Sequence, residues 1–155
     1  MNQDLCQKFK KTLGRFATGV TVATTKYEGI HYGVTINSFT SLSLTPALIL
    51  FNLGESSHSS TAFLNSEYFN INILSKNQKD LANHFAKSHN DKFSDIDYIE
   101  DDKGNSYFDD NLALISCKLH SSHKIGDHHI IIGEVYHMDN DDSKEPLIYY
   151  NSQFS

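Results

Sequence analysis

The stretch from Gly33 to Phe51, GVTINSFTSLSLTPALILF, changes character halfway along and so restricts what the chain around it can build. Val34 and Ile36 alternate with Thr35 and Asn37, the period of a strand with one buried and one polar face. From Ala47 to Phe51 the run becomes continuously apolar, as in a strand covered on both sides. The short neutral side chains in this stretch, Thr35, Asn37, Ser38, Thr40, Ser41, Ser43 and Thr45, therefore sit at the lip of a buried sheet. There they either satisfy their own backbone or face a cavity suited to a ligand that is flat, polar at its edges and anionic at its tail.

The rest of the chain supplies more strands than helices. Leu5, Phe9, Leu13 and Phe16 recur at helical spacing beside lysines, so residues 4–16 are expected to form an amphipathic helix capped by Asp4. Gly19 releases the chain into a β-branched run, and Glu28-Gly29 turns it into the next strand to give a hairpin. Residues 68–74 alternate strictly and read as a half-buried strand. Ser75 and Gln78 have the spacing of a capping box for a helix to about residue 87, on which Leu81, Ala82 and Phe85 share a face. Residues 89–111 carry eight acidic side chains and read as an exposed connection, too long to be structureless and able to close over a site. Residues 112–119 and 130–135 form an antiparallel pair, joined through a loop from His120 to His129, and residues 147–150 make a last strand. Six or seven strands, two helices and no strand–helix alternation point to a mainly β chain, an antiparallel barrel with a few flanking helices. No Gly-x-Gly-x-x-Gly fingerprint is present, so any nicotinamide cofactor binds without a Rossmann domain.

At 155 residues the chain has the length of one domain, 1–155. A formal charge of −6, with scattered Lys and Arg, argues against nucleic acid or an anionic membrane as partner. No apolar stretch approaches the ~20 residues of a membrane span, and the first ten residues lack a signal-peptide core, so a cytoplasmic protein is expected. Cys6 and Cys117 read as buried reduced thiols rather than a disulfide.

Of the nine histidines, His120, His123, His128 and His129 fall within ten residues. Their spacing does not suit a metal, because neighbours on a strand face opposite ways and no ligand set is completed. The loop Gly54-Glu-Ser-Ser-His-Ser-Ser-Thr61 precedes a short helix expected to begin near Ala62. Its hydroxyls either cap that helix or, with exposed N–H groups, receive a phosphate.

Several stretches carry a resemblance. Asn37-Ser38-Phe39-Thr40-Ser41-Leu42-Ser43 with Pro46, Phe16-Ala17-Thr18-Gly19-Val20-Thr21-Val22, Leu81-Ala82 with His84-Phe85-Ala86 and Asp91-Lys92-Phe93, and Gly126-Asp127-His128 with Gly133-Glu134-Val135 together resemble the flavin reductase-like, FMN-binding split-barrel family. These are the small reductase partners of two-component flavin monooxygenases. The resemblance implies an antiparallel split β-barrel of Greek-key type that binds FMN or FAD, uses NADH or NADPH, forms a homodimer and hands reduced flavin to an oxygenase. It implies that Thr35, Ile36, Asn37, Ser38 and Ser41 hold the flavin ring, ribityl chain and phosphate. Ser57, Ser59, Ser60 and Thr61 would bind the phosphate in a loop that lacks the cation expected there. Phe85 is by default a core residue, with a flavin contact as the alternative. His128 stands where the family places a histidine near the nicotinamide, and is expected to orient the hydride donor. The alternative function is a flavin-binding electron carrier without efficient nicotinamide turnover.

Overall fold

The structure of the protein, a computed structural model, describes residues 3–155. Its elements are α1 (Gln3–Leu13), β1 (Thr18–Gly19), β2 (Thr21–Tyr27), β3 (Ile30–Ile36), β4 (Thr40–Leu44), β5 (Ala47–Gly54), α2 (Ser60–Asn65), β6 (Tyr68–Ile73), α3 (Lys79–Ala86), β7 (Ile99–Glu100), β8 (Ser106–Tyr107), β9 (Ala113–Ile125), β10 (His128–Asn140), β11 (Ile148–Tyr150) and β12 (Gln153–Phe154). Seven strands form one sheet in the order β3-β2-β6-β9-β10-β5-β4, every pair antiparallel. A smaller sheet, β1-β11-β12, and a β7–β8 pair accompany it. The expected mainly β, antiparallel architecture with few helices is therefore present.

Turn chemistry fixes two of the hairpins. Glu28 and Gly29 both take positive φ, 51° and 78°, the two-residue turn whose twist matches that of the strands it joins. Gly126, at φ 62°, opens the equally tight turn between β9 and β10. That hairpin departs from expectation, because residues His120 to Ile125, His128 and His129 belong to strands instead of a loop. Their polar character misleads: the pair runs on beyond the core as a ribbon wet on most sides, where no apolar alternation is needed.

The sheet curls around one apolar core and carries a second on its outer side. Inside, Phe51, Phe63 and Phe69 meet edge to face at centroid separations of 5.6–6.2 Å, with Ile71, Cys117 and Ile131 packed around them. Each such ring stabilises the fold by roughly 1.5–3 kcal/mol through burial alone. Outside, Val20, Val22 and Leu74 pack against Ala82 and Phe85 of α3 and against Phe93, Phe108 and Leu147. The capping box at Ser75 and Gln78 forms, Gln78 Oε1 accepting from the Ser75 N–H at 3.0 Å, although its first turn is 3-10.

Strand β6 is covered on both faces rather than half-buried, and the covering comes from the acidic connection. Asn70 and Asn72 point away from the inner core, yet both are fully buried. Asn70 donates to Asp101 at 2.8 Å, while Asn72 accepts from the Asn111 carboxamide at 2.8 Å and from the Phe108 N–H at 3.3 Å. Buried amides need such partners, so residues 99–111 act as a polar cover for β6, with Phe93 and Phe108 as apolar anchors. Most of that segment's charges face water, which is why it reads as an exposed connection.

Three further expectations change. Helix α1 ends at Leu13, holds Asp4 inside its first turn instead of at the cap, and buries none of its residues; Leu5, Phe9, Leu13 and Phe16 are each more than half exposed. On β5 only Ile49, Phe51 and Leu53 are fully buried, and Leu48 and Leu50 on the opposite face are half-covered. Cys117 is buried, Cys6 is not, and both thiols are free. Burial pushes the Cys117 thiol up to about 12, so it is inert as a nucleophile.

Gly133 of β10 marks the tightest approach in the inner core. A Cβ there would lie 2.5 Å from the Phe69 ring and 2.8 Å from Cys117 Cβ, both in fully packed surroundings. Gly133→Ala should therefore destabilise the protein by about 1–3 kcal/mol, read as a lower urea midpoint. Gly19→Ala, where an added methyl meets nothing within 4 Å, should stay within about 0.5 kcal/mol of the parent.

Candidate active site

The seven-stranded ladder does not close on itself: β3 ends one edge and β4 the other. Where the chain leaves β3, one side chain spans the gap. The Ser38 hydroxyl accepts from the Asn52 N–H at 3.0 Å and donates to the Asn52 carbonyl at 3.2 Å, clasping the end of β3 to β5. A cleft of about 570 Å³ opens beside this clasp, within the size range of small-molecule sites.

Three pieces of chain form the cleft. The end of β3 contributes Thr35, Ile36, Asn37 and Ser38, and β5 with the loop after it contributes Asn52, Gly54 and Ser57. The tip of the β9–β10 hairpin adds Ile125, His128 and Ile130. Apolar walls thus come from Ile36, Ile125 and Ile130, and the edges are neutral hydroxyl, carboxamide and peptide groups. Among the described residues lining it, the only ionisable side chain is His128. Its polar and apolar parts suit a planar heteroaromatic ring bearing hydrogen-bonding edges.

The expected site residues divide. Thr35, Ile36, Asn37, Ser38, Ser57 and His128 come together at the cleft. The Thr35 hydroxyl donates to the Ala82 carbonyl of α3 at 2.7 Å, and the Ser57 hydroxyl accepts from the Ser59 N–H at 3.3 Å. Ser41 lies outside the lining, exposed on β4. Ser59 and Ser60 are buried behind the loop, where the Ser59 hydroxyl donates to the Gly33 carbonyl at 3.4 Å. Thr61 faces solvent on α2, and Phe85 is fully buried in the outer core. Sequence reasoning missed Asn52, Gly54, Ile125 and Ile130. The available signal was the Asn52-Leu53-Gly54 break that ends the apolar run, and the Ile125 directly before Gly126-Asp127-His128.

The cation missing from the 54–61 loop lies nearby in space. Lys124, one residue before Ile125, reaches Glu55 at 2.6 Å and holds that carboxyl below the usual range, chiefly through their hydrogen bond. At the hairpin tip the Asp127 carbonyl accepts from the Glu55 N–H at 2.9 Å, tying tip to loop. The Asp127 carboxylate lies 2.7 Å from Nδ1 of His128. With Nδ1 as donor in that contact, Nε2 is left free.

That contact has a pH signature. The hydrogen bond from His128 holds the Asp127 carboxyl below its ordinary value of 3.8. A depressed carboxylate pKa keeps the pair intact above the ordinary value and loses it only as pH falls through the depressed one. An NMR titration of the Asp127 carboxyl should show a midpoint below 3.8, returning toward 3.8 in His128→Ala.

Known proteins share both the sequence and the architecture. The profile of a family described as flavin reductase like domain matches residues 13–155. The reductase subunit HsaB of a flavin-dependent monooxygenase from Rhodococcus jostii is 36% identical over 149 residues, covering 96% of this chain and 76% of its own. The FMN reductase (NADH) SmoA of Agrobacterium fabrum is 36% identical over 148 residues, covering 96% and 84%. The NADH:FAD oxidoreductase SgcE6 of Streptomyces globisporus, solved with NAD and FAD fragments, superimposes with a TM-score of 0.93 at 28% identity, over 100% of this chain and 94% of its own. The match of nearly the whole chain, in sequence and in the path of its strands, places it in the flavin reductase-like domain family.

Proposed function

We propose that this chain, a single domain over residues 1–155, is an NAD(P)H:flavin oxidoreductase that reduces FMN or FAD and supplies the reduced flavin to a partner monooxygenase. The observation that carries this reading is the cleft at the Ser38 clasp, with apolar walls, neutral polar edges and one histidine at its mouth, in a chain of the flavin reductase family. Flavin reductases and reductase components of flavin-dependent monooxygenases among its relatives support the reaction, and the NADH named for SmoA and SgcE6 supports the donor.

A flavin in the cleft supplies the ring that accepts the hydride. The chain's own part is to bind, align and dry that ring. Ile36, Ile125 and Ile130 take its apolar surface from water. The Asn37 carboxamide is exposed and makes no side-chain hydrogen bond among the described residues, so it is available to a ring edge; backbone groups of residues 35–38 add further donors and acceptors. Ser57 faces the tail of the ligand with a neutral hydroxyl. Contacts without a free cation hold a phosphate weakly, which suits a flavin that must leave after reduction. His128, hydrogen-bonded to Asp127, presents Nε2 where a nicotinamide amide or a flavin edge would lie, and orients the hydride donor.

The same reading includes a homodimer and a cytoplasmic setting. Leu42 and Leu44 on β4 and Met138 on β10 are exposed, and Leu50 shares its row with Ile132 on a half-covered sheet face, a surface of the kind a second copy would cover. No helix among the described residues is long and apolar enough to cross a membrane.

Steady NADH or NADPH oxidation that requires added FMN or FAD is the expected result with purified protein; its absence would overturn the assignment. His128→Ala should lower kcat/KM for the nicotinamide about tenfold or more, the scale of a lost positioning contact, with little change in flavin affinity. Asn37→Ala should weaken flavin binding about fivefold, as for one lost hydrogen bond, by fluorescence titration.

A further inference from the structure

Helix α1 leaves its apolar face uncovered. It is 11 residues long and buries none of them, and a helix that short is marginal in water unless such a face is packed. Leu5, Phe9 and Leu13 recur every four residues on one side, each more than half exposed. The helix is nevertheless fixed at its base. The Asn151 N–H donates to the Gly14 carbonyl at 2.9 Å, and the Arg15 guanidinium lies over the Tyr150 ring at 5.0 Å. What is missing is a surface for the stripe to lie on.

Charge narrows what that surface can be. Residues 1–16 hold Lys8, Lys10, Lys11 and Arg15 against Asp4, a surplus of three positive charges in a chain of formal charge −6, which leaves −9 for the rest. Lys8, Lys10 and Lys11 make no ion pair among the described residues. The main sheet carries a face that matches. Thr40 of β4, Leu50 of β5 and Ile132 of β10 form one row across three strands, with Leu48 and Glu134 in the next row. Leu48, Leu50 and Ile132 are half-covered, and the exposed Glu134 carboxylate makes no ion pair or hydrogen bond among the described residues. Dimensions agree as well: from Leu5 to Leu13 a helix rises about 12 Å, and three neighbouring strands are about 10 Å across.

We propose that α1 of one copy docks across β4, β5 and β10 of a second copy, with Leu5, Phe9 and Leu13 on Leu48, Leu50 and Ile132 and the lysines around Glu134. Within one chain the apolar side of α1 stays open, so the fit is between copies. In a symmetric pair the exchange is mutual, each subunit donating a helix and receiving one. This rests on the homodimer in the proposed function and names the element that holds it. An anionic bilayer would also attract the lysines, but the acidic body of the chain opposes its approach.

Sedimentation velocity of the parent at micromolar concentration should show a dimer. Phe9→Glu should weaken it about thirtyfold or more, as for loss of a central apolar anchor, with little change in urea midpoint because Phe9 lies outside both cores. Charge exchange then identifies the contact. Lys8→Glu/Lys10→Glu/Lys11→Glu in one chain and Glu134→Lys in another each set like charges opposite one another, so either chain alone should dimerise about tenfold more weakly. Mixing the two should restore a heterodimer, since each helix then meets a face of opposite sign. Amides of residues 3–13 should exchange slowly in the dimer and lose protection on dilution. A dimer that survives Phe9→Glu unchanged, or a mixture no tighter than its separate components, overturns the docking of α1 and leaves the homodimer standing. A parent that sediments as a monomer overturns both. Binding of the parent to phosphatidylglycerol vesicles that Phe9→Glu abolishes, with dimerisation unaltered, overturns the docking too and gives α1 to a membrane surface.

Discussion

A single hydroxyl clasps the chain leaving the edge strand β3 to β5, the strand next to the opposite edge, in a sheet whose ladder stays open. Seven antiparallel strands with right-handed twist curl toward each other, but no ladder links β3 to β4. Ser38 bridges the seam instead, with one donated and one accepted hydrogen bond to the Asn52 peptide of β5. Full closure would have filled the seam with backbone pairing and left no cleft. A wider opening would have exposed the phenylalanine cluster inside. Between these outcomes the seam holds a cavity whose rim is peptide and hydroxyl, and whose floor is the apolar side of the same strands.

The inner and outer cores make that seam rigid from both sides. The lip of the cleft continues directly from Gly33, where a Cβ would lie 2.5 Å from the Phe85 ring of α3. The Gly33 carbonyl also accepts from the Lys92 ammonium at 3.2 Å, and the same ammonium donates to the Phe85 carbonyl at 2.9 Å. Lys92 is buried with no carboxylate beside it, and burial holds its pKa below the usual lysine value. The strand that leads into the rim is thus pinned to α3 by close packing and by a charge-assisted bond, before any ligand arrives. The hairpin tip is fixed separately, through Asp127 and Glu55, so His128 meets the rim as part of an independently anchored piece.

Much of the local structure was legible because it depends on neighbours in sequence. The Glu28-Gly29 turn, the Ser75–Gln78 capping box and the alternation in β3 need only a few adjacent residues, and each forms where expected. The cleft residues Thr35 to Ser38 were legible for a related reason, as polar groups on an otherwise buried strand must find partners or a ligand. Legibility failed where polar residues are buried by distant chain. Asn70 and Asn72 looked solvent-facing, and only the return of residues 99–111 covers them. It failed again in the β9–β10 ribbon, where strands persist without a core beneath them, so His120 and His123 carry no apolar alternation to reveal them.

By itself the sequence determined that the chain would be an antiparallel, mainly β fold with a neutral polar lip, because turn residues, periodicity and composition act over short separations. Tertiary structure alone decided which hydroxyls line the cleft. Ser57 and Ser59 are two residues apart in one loop, yet one lines the cleft and the other donates to Gly33 behind it. The same holds for Lys124, which the loop itself lacks and a hairpin 69 residues further along the chain brings to Glu55. Side chains of one type differ only in where folding points them, and that direction is set by long-range packing that no local pattern encodes.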